Sequence, residues 1–105
     1  MDYPVALFLT LVVEVPIYAT VLIVAGLTSR RAAALLGIGV NLLTHPVVWA
    51  LTGSGSLLVL AAAELGAWLV EAAVLYAVIR REAVLLFALA LCANCASFLL
   101  GLALS

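Results

Sequence analysis

Three carboxyl groups stand inside long apolar stretches of this chain. They belong to Glu14, Glu64 and Glu71, and the single histidine, His45, lies in another such stretch. An ionisable side chain near the middle of a membrane-spanning helix costs about 2.5–3.5 kcal/mol on insertion scales. Such residues normally face the interior of a helix bundle and mark proton or ion pathways. We predict that these four side chains bind a proton or a cation.

Amide and hydroxyl groups accompany the ionisable groups at helical spacing. Asn41, Thr44 and His45 follow one another at i, i+3 and i+4, so they share one helix face. Asn94 and Ser97 repeat the spacing near the end of the chain. Because amides and hydroxyls hydrogen-bond across helices in membranes, we assign Asn41 and Asn94 to the site and Thr44 and Ser97 to its support. The alternative is that these groups only hold the bundle together.

Aromatic residues follow two of the glutamates by four residues. Tyr18 follows Glu14, and Trp68 follows Glu64, with Glu71 a further turn along the same face. Residues at i, i+4 and i+7 lie on one side of a helix. We therefore predict that Tyr18 and Trp68 support the site, while ordinary packing is the alternative role for Trp68.

Two prolines fall within the same apolar stretches. Pro16 cannot donate a hydrogen bond to the carbonyl of Val12, and Pro46 cannot donate to that of Leu42. Freed carbonyls beside carboxylates are how secondary transporters build sites for cations or protons. We therefore count both prolines as supporting residues, against the alternative that they are ordinary kinks in membrane helices.

A transition metal is a further candidate ligand. His45, Glu64 and Glu71 offer nitrogen and oxygen atoms that suit such an ion, although the chain contains no His-x-x-Glu or His-x-x-x-His spacing. Cys92 and Cys95 form a C-x-x-C pair. Because no basic residue stands near them to activate a thiol, we interpret these cysteines as packing residues.

The composition identifies the solvent around these groups. Of 105 residues, 70% are hydrophobic and 9% are charged, whereas soluble domains are about 45–50% apolar and about 25% charged. A soluble chain this short could not bury so much apolar surface, so we predict that the partner is a lipid bilayer. A net charge of −1 with four basic residues argues against nucleic-acid binding, which needs a basic face.

Charge and turn residues divide the chain into four stretches of about the length that crosses a bilayer. An arginine pair follows the first and third stretches, and Gly53-Ser54-Gly55-Ser56 follows the second. The spans are predicted at residues 4–28, 32–52, 57–79 and 83–104. Since the connections are short, neighbouring spans should be antiparallel. The predicted fold is therefore an all-α, polytopic bundle of four transmembrane helices in a single domain.

The arginines set the predicted orientation. Arg30-Arg31 and Arg80-Arg81 are the only basic residues, and basic residues favour cytoplasmic loops. Both arginine loops are therefore expected in the cytoplasm, with both termini outside the cell membrane. At about 1.5 Å per residue, the polar groups then form one layer about 10–20 Å from the outer edge.

The two halves of the chain resemble each other. Glu14 and Glu64 each stand 16 residues before an arginine pair (14 to 30 and 64 to 80), and an Asn-x-x-Thr or Asn-x-x-Ser motif follows each pair. The second interval between the arginines and the Asn is longer, so the match is imperfect. A duplicated two-helix hairpin with parallel repeats is one explanation, and chance similarity between Leu/Ala/Val-rich helices is the other.

These motifs carry two resemblances to known proteins. The chain resembles small, uncharacterised four-span bacterial membrane proteins in four motifs: Glu14-x-Pro16, Asn41-x-x-Thr44-His45-Pro46, Glu64 with Glu71, and Asn94-x-x-Ser97. That resemblance implies a fold in the bacterial inner membrane and no chemistry. Val13-Glu14-Val15 alone is similar to the first span of small multidrug resistance exporters, which implies proton exchange at Glu14. Unlike that family, the third span carries two acids and lacks the family's aromatic and glycine pattern.

Three functions follow from this pattern. The first is transport, in which the polar layer binds a proton or cation and a homo-oligomer completes the pathway, with a bound cation as the only cofactor. The second is a non-catalytic subunit or assembly factor of a larger membrane complex, in which the polar layer joins the helices. The third is an intramembrane, metal-dependent enzyme, although no hydrolase or redox motif is present.

Overall fold

The chain forms four long α-helices. The computed structural model describes residues 2–53 and 55–104, excluding the side chain of Thr52, so Ser54 of the predicted turn lies outside the described residues. The helices are α1 (Tyr3–Val24), α2 (Arg30–Thr52), α3 (Leu57–Ile79) and α4 (Ala83–Leu104). Each is long and apolar enough to cross a membrane, since 22 or 23 residues extend about 33–35 Å.

The connection between α1 and α2 is longer than the apolar pattern predicts. Helix α1 ends at Val24 rather than at residue 28, and Gly26 follows with φ of 71°. Glycine adopts this left-handed conformation without steric cost. Ser29 then caps α2, because its hydroxyl accepts a hydrogen bond from the Ala32 amide at 3.2 Å. Local turn chemistry therefore ends α1 early and starts α2 at Arg30, two residues before the predicted start.

The two arginine connections meet at one end of the bundle. Helix α3 ends at Ile79, and the following Arg80 has φ of 63° and donates its amide to the Tyr76 carbonyl at 2.8 Å. The guanidinium of Arg81 donates to the Gly26 carbonyl at 3.0 Å. This hydrogen bond joins the α3–α4 connection to the α1–α2 connection.

Each helix packs against two others to close a ring. Helix α1 contacts α2, α2 contacts α3, α3 contacts α4, and α4 contacts α1. The bundle measures 40 × 22 × 20 Å, and its length is close to the thickness of a bilayer with its headgroups. The buried apolar core consists of Tyr18, Leu22, Ala33, Val40, Ala72, Leu75, Leu86, Leu89, Ala90 and Ala93.

The outside of the bundle is apolar. Large side chains point outward on every helix, and Val24, Leu58 and Val84 are 81%, 80% and 85% exposed. Soluble monomers rarely expose extended apolar patches of this kind. The exterior is therefore the surface expected of a bundle surrounded by lipid.

Helices α1 and α2 approach each other closely at Gly37. A β-carbon at this position would lie 3.4 Å from the Val15 Cα and 3.5 Å from the Tyr18 Cβ. A β-carbon fits there at ordinary contact distance, but the branched end of a leucine would press against Val15 or Tyr18. We expect Gly37→Leu to lower the free energy of unfolding by about 1–3 kcal/mol.

Gly39 provides the matched control, because a β-carbon there meets no atom within 4 Å. Denaturation of both variants in mixed micelles, followed by circular dichroism, measures the difference. Equal stability of Gly37→Leu and Gly39→Leu would contradict the close approach of α1 and α2.

Candidate functional site

A cavity of about 270 Å³ lies in the half of the bundle that contains the start of α1 and the end of α4. All four helices contribute to it, and the arginine connections lie beyond the opposite half. Its polar lining residues are Thr10, Glu14, Asn41, Thr44, His45, Glu64, Glu71, Asn94 and Ser97. No arginine or lysine belongs to the described lining. The cavity is thus an acidic chamber, named here the acidic cavity.

Glu71 is the centre of a hydrogen-bond network that joins the helices. Its Oε1 accepts from the Tyr18 hydroxyl at 2.5 Å and from the Asn94 amide at 3.1 Å. Its Oε2 accepts from the Thr44 hydroxyl at 2.6 Å. The glutamate is 1% exposed, so its contacts rather than bulk water determine its charge. One carboxyl on α3 is therefore bonded to α1, α2 and α4.

The three donors to Glu71 differ in whether another hydrogen-bond acceptor lies within reach. The Thr44 hydroxyl also lies 3.0 Å from the Val40 carbonyl, and the Asn94 amide also donates to the Ala90 carbonyl at 2.8 Å. For the Tyr18 hydroxyl, Glu71 is the acceptor that the described network provides. Loss of the Glu71 carboxyl would therefore affect Tyr18 most, because a buried donor without a partner is costly.

Glu14 forms the second buried carboxyl of the site. It is 2% exposed, and its Oε2 accepts a hydrogen bond from the Ser97 hydroxyl. Its Oε1 is buried and has no donor among the described residues. The Glu14 and Glu71 carboxyls line the same cavity and lie near enough to form a hydrogen bond if one of them carries a proton. Two ionised carboxylates have no proton to donate to each other, so this arrangement is suited to one proton shared between the two groups.

Glu64 lies in a different part of the acidic cavity. Its side chain is half-buried and lines the cavity one turn nearer the start of α3 than Ala67. It is close enough for an electrostatic interaction with Glu71. The three glutamates therefore share one chamber, with Glu64 the more accessible and the other two at its inner end.

An aromatic cluster lies beside the cavity. The Tyr3 ring centroid is 5.4 Å from that of His45 and 5.7 Å from that of Trp49, and the His45 and Trp49 rings stack at 6.4 Å. Both His45 and Trp49 line the cavity. The buried Nδ1 of His45 has no hydrogen-bond partner among the described residues. His45 therefore stands at the edge of the chamber rather than in the network around Glu71.

Asn41 contributes a buried amide to the lining. Its Nδ2 donates to the Gly37 carbonyl at 2.7 Å, one turn earlier on α2. Asn94 makes the equivalent bond to Ala90 on α4. Asn94 also reaches Glu71, whereas the described bonds of the Asn41 side chain stay within its own helix. The two amides therefore differ in their connection to the carboxyls.

The structure does not bring the proline-freed carbonyls to the cavity. Pro16 and Pro46 lie inside continuous helices, and their side chains are exposed on the outside of the bundle. Val12 and Leu42 are also exposed, and neither lines the cavity. The prolines therefore fall on the apolar exterior, because the helix turns them away from the face that carries Glu14 and Asn41.

Trp68 also lies outside the acidic cavity. Its indole N–H donates to the Phe87 carbonyl at 2.8 Å and so links α3 to α4. Its predicted position beside Glu64 and Glu71 is correct along the helix, but the cavity lining contains Ala67 instead. Trp68 is thus a contact between two helices in this structure.

The candidate metal ligands are not arranged as a metal site. Within residues 2–53 and 55–104, no group of three or more His, Cys, Asp or Glu side chains is placed to hold a metal ion. His45, Glu64 and Glu71 line the same chamber without converging on one point. Cys92 and Cys95 are exposed on the outer face of α4.

Two hydroxyl–carboxyl pairs join helices around the cavity. Thr44 on α2 donates to Glu71 on the following helix, and Ser97 on α4 donates to Glu14 on α1. Glu71 and Glu14 thus make the same kind of contact with a hydroxyl of a neighbouring helix. The spacing to the arginine pairs matches Glu14 with Glu64, and the duplication inferred from that spacing stays a prediction.

Some lining residues were not singled out from the sequence. Tyr3, Thr10, Trp49 and Phe98 all lie at or beside the cavity. The signal for Trp49 was present, because it follows His45 by four residues and extends the face that begins at Asn41.

Comparison of the chain with known protein families, curated proteins and solved structures finds no match.

Proposed function

We propose that the chain is an integral protein of a bacterial inner membrane, with four antiparallel spans. Both termini lie outside, and the connections with Arg30-Arg31 and Arg80-Arg81 lie in the cytoplasm. Three observations support this: the four apolar helices, the exposed apolar exterior and the meeting of both arginine connections at one end. The acidic cavity then opens toward the outside.

Cysteine labelling tests this orientation. In a background with Cys92→Ser and Cys95→Ser, we expect Asp2→Cys to react with a membrane-impermeant maleimide in intact cells. We expect Arg31→Cys to react only after permeabilisation, because basic connections stay in the cytoplasm. Both positions are exposed in the fold, so packing does not block either thiol. The reverse pattern, or labelling of both in intact cells, contradicts the orientation.

We further propose that the acidic cavity binds a proton or a monovalent cation and takes part in its transport across the membrane. The observation that carries this proposal is the burial of both Glu14 and Glu71 in one chamber with no arginine or lysine in its described lining. Buried acids in a membrane are costly unless they pair, and they mark proton and ion pathways. Glu64, nearer the start of α3, is the first carboxyl that an entering cation meets.

The contacts suggest where the proton resides. Glu71 accepts three hydrogen bonds, which stabilise negative charge on its carboxylate. Glu14 receives one, from Ser97. A proton on Oε1 of Glu14 would satisfy that otherwise unpartnered oxygen by donating to Glu71. A cation that enters the cavity can replace this proton, so that charge in the chamber is conserved.

A homo-oligomer is part of this proposal. Beyond the network, the half of the bundle nearest the arginines is filled by Leu22, Leu75 and Leu86, all fully buried. One bundle thus gives a cation access to the acidic cavity from one end only. A second copy provides a surface against which the helices of the first can rearrange. Native mass spectrometry of the purified protein should give a discrete homo-oligomer. A monomer would contradict this part of the proposal.

Proton movement out of proteoliposomes tests transport directly. Vesicles that contain a pH-sensitive dye are given an outward proton gradient and then external Na⁺ or K⁺. We expect the protein to accelerate the change in internal pH with at least one of the two cations. A rate equal to that of protein-free vesicles with both cations contradicts exchange of a proton for a monovalent metal cation.

A second candidate function, that of a non-catalytic subunit of a larger membrane complex, is supported by a different observation. Through Glu71, hydrogen bonds connect α1, α2 and α4 to α3, as expected if the polar layer only holds a subunit together. In that case, Glu-to-Gln variants that keep the fold would also keep the activity of the larger complex. A metal-dependent enzyme has no comparable support, because the described side chains form no metal-ligand group.

A further inference from the structure

A second concave surface lies at the arginine end of the bundle. It is an open groove of about 470 Å³ between the α1–α2 connection, the first turns of α2 and the last turn of α3. Its walls are apolar and include Leu27, Leu35, Leu36 and Ile79. None of its lining residues belongs to the acidic cavity. The groove faces the exterior, where an acyl chain would lie against the protein.

Thr28 is the one polar residue among the described residues that line this groove. Its hydroxyl oxygen is buried and has no hydrogen-bond partner among the described residues. A buried hydroxyl without a partner is unfavourable. The hydroxyl is shielded in the side-chain position shown, so rotation of the Thr28 side chain toward the groove would let an ester or phosphate oxygen of a lipid accept its hydrogen.

Two arginines are next in sequence to residues that line the same groove. Arg31 directly precedes the lining residue Ala32, and Arg80 directly follows Ile79. Both arginines are exposed. Counting the four arginines and Glu82, this end of the chain carries a charge of 4 − 1 = +3. Basic groups beside a groove between membrane helices favour anionic lipid headgroups.

We propose that this groove binds a phospholipid with an anionic headgroup. One acyl chain lies along Leu35, Leu36 and Ile79, and Arg31 and Arg80 face the headgroup. The Thr28 side chain rotates toward the groove, where its hydroxyl donates to an ester or phosphate oxygen. This inference rests on the membrane insertion proposed above, but it is independent of proton exchange in the acidic cavity.

Lipid titration with native mass spectrometry tests the site. The purified protein in detergent is titrated with phosphatidylglycerol or phosphatidylcholine carrying the same acyl chains. We expect phosphatidylglycerol to bind at least tenfold more tightly, because each basic residue near an anionic lipid contributes about 1 kcal/mol. The double variant Arg31→Gln/Arg80→Gln should lower the affinity for phosphatidylglycerol by about 30-fold. Equal affinities for both lipids, or an unchanged double variant, would overturn the proposal.

The role of Thr28 has a matched control. Thr28→Val should weaken the binding of both lipids, since both contain ester and phosphate oxygens. Thr20→Val removes an exposed hydroxyl of α1 outside the groove and should change neither affinity. Equal effects of the two substitutions would remove Thr28 from the site.

Glycerol phosphate distinguishes a lipid from a soluble anion. It carries the charged group without acyl chains, so it should not displace phosphatidylglycerol at equal concentration. Displacement would show a soluble-anion site and overturn the lipid assignment.

The helical signal in circular dichroism of each variant identifies any loss of fold. Proton exchange by the double variant should match the wild type, which separates this site from the acidic cavity.

Discussion

Glu71→Leu should lower the free energy of unfolding by about 2–3 kcal/mol, whereas Glu71→Gln should change it by less than about 1 kcal/mol. Leucine removes the acceptor of the Tyr18 hydroxyl, which is buried. Thr44 and Asn94 suffer less because each retains a backbone acceptor, the Val40 and Ala90 carbonyls respectively. Denaturation in mixed micelles measures both variants.

Glutamine keeps most of the network that leucine destroys. Its carbonyl oxygen can still accept from Tyr18 and Asn94, and its amide can face Thr44, whose hydroxyl then donates to Val40. Replacement of a buried charge by an apolar residue is often harmless when all partners are replaced together. Here the donors remain, so the leucine variant retains a cost.

A double-mutant cycle isolates this cost. Adding Tyr18→Phe to Glu71→Leu should recover about 1 kcal/mol, because the orphaned hydroxyl is removed as well. A neutral or stabilising effect of Glu71→Leu alone would contradict a structural role for the network. No recovery in the double variant would show that Tyr18 does not depend on Glu71.

Glu14→Gln should abolish proton exchange while the bundle remains folded. The glutamine carbonyl can accept from Ser97, and its amide can donate toward Glu71, so the contacts of Glu14 are preserved. What is lost is the exchangeable proton. The rate of pH change in proteoliposomes should therefore fall to that of protein-free vesicles.

Glu82→Gln is the matched control for this loss. Glu82 is an exposed acid in the α3–α4 connection and lies outside the acidic cavity. Its substitution removes one carboxyl without touching the chamber, so transport should persist. Glu64→Gln should slow exchange without abolishing it, since Glu64 lies nearer the opening. Full activity of Glu14→Gln would contradict our proposed role for the carboxyl pair.

The helices could be predicted from the sequence because a bilayer requires about 20 apolar residues per span. Charges and turn residues then mark the ends, and α3 and α4 have their predicted bounds. The end of α1 differs because the apolar run continues past Val24, although Gly26 and Ser29 already form the connection. The hydrophobicity pattern alone does not reveal the turn at Gly26 or the helix cap at Ser29.

The contents of the acidic cavity could be predicted in part. Spacing along one helix fixes relative directions, so Asn41, Thr44 and His45 could be placed on one face. Spacing does not fix how neighbouring helices rotate toward each other. Close packing at Gly37 and the donors around Glu71 set that rotation. The pairing of Glu14 with Glu71 therefore could not be derived from positions in the sequence.

Infrared spectroscopy of the purified protein tests the central claim that Glu14 and Glu71 share an exchangeable proton. A protonated carboxyl has a C=O absorption that shifts in D₂O and is absent from a carboxylate. We predict this absorption in the wild type at neutral pH, its persistence in Glu64→Gln and its loss in Glu14→Gln. Spectra of Glu14→Gln and wild type with the same carboxylic-acid absorption would contradict the claim.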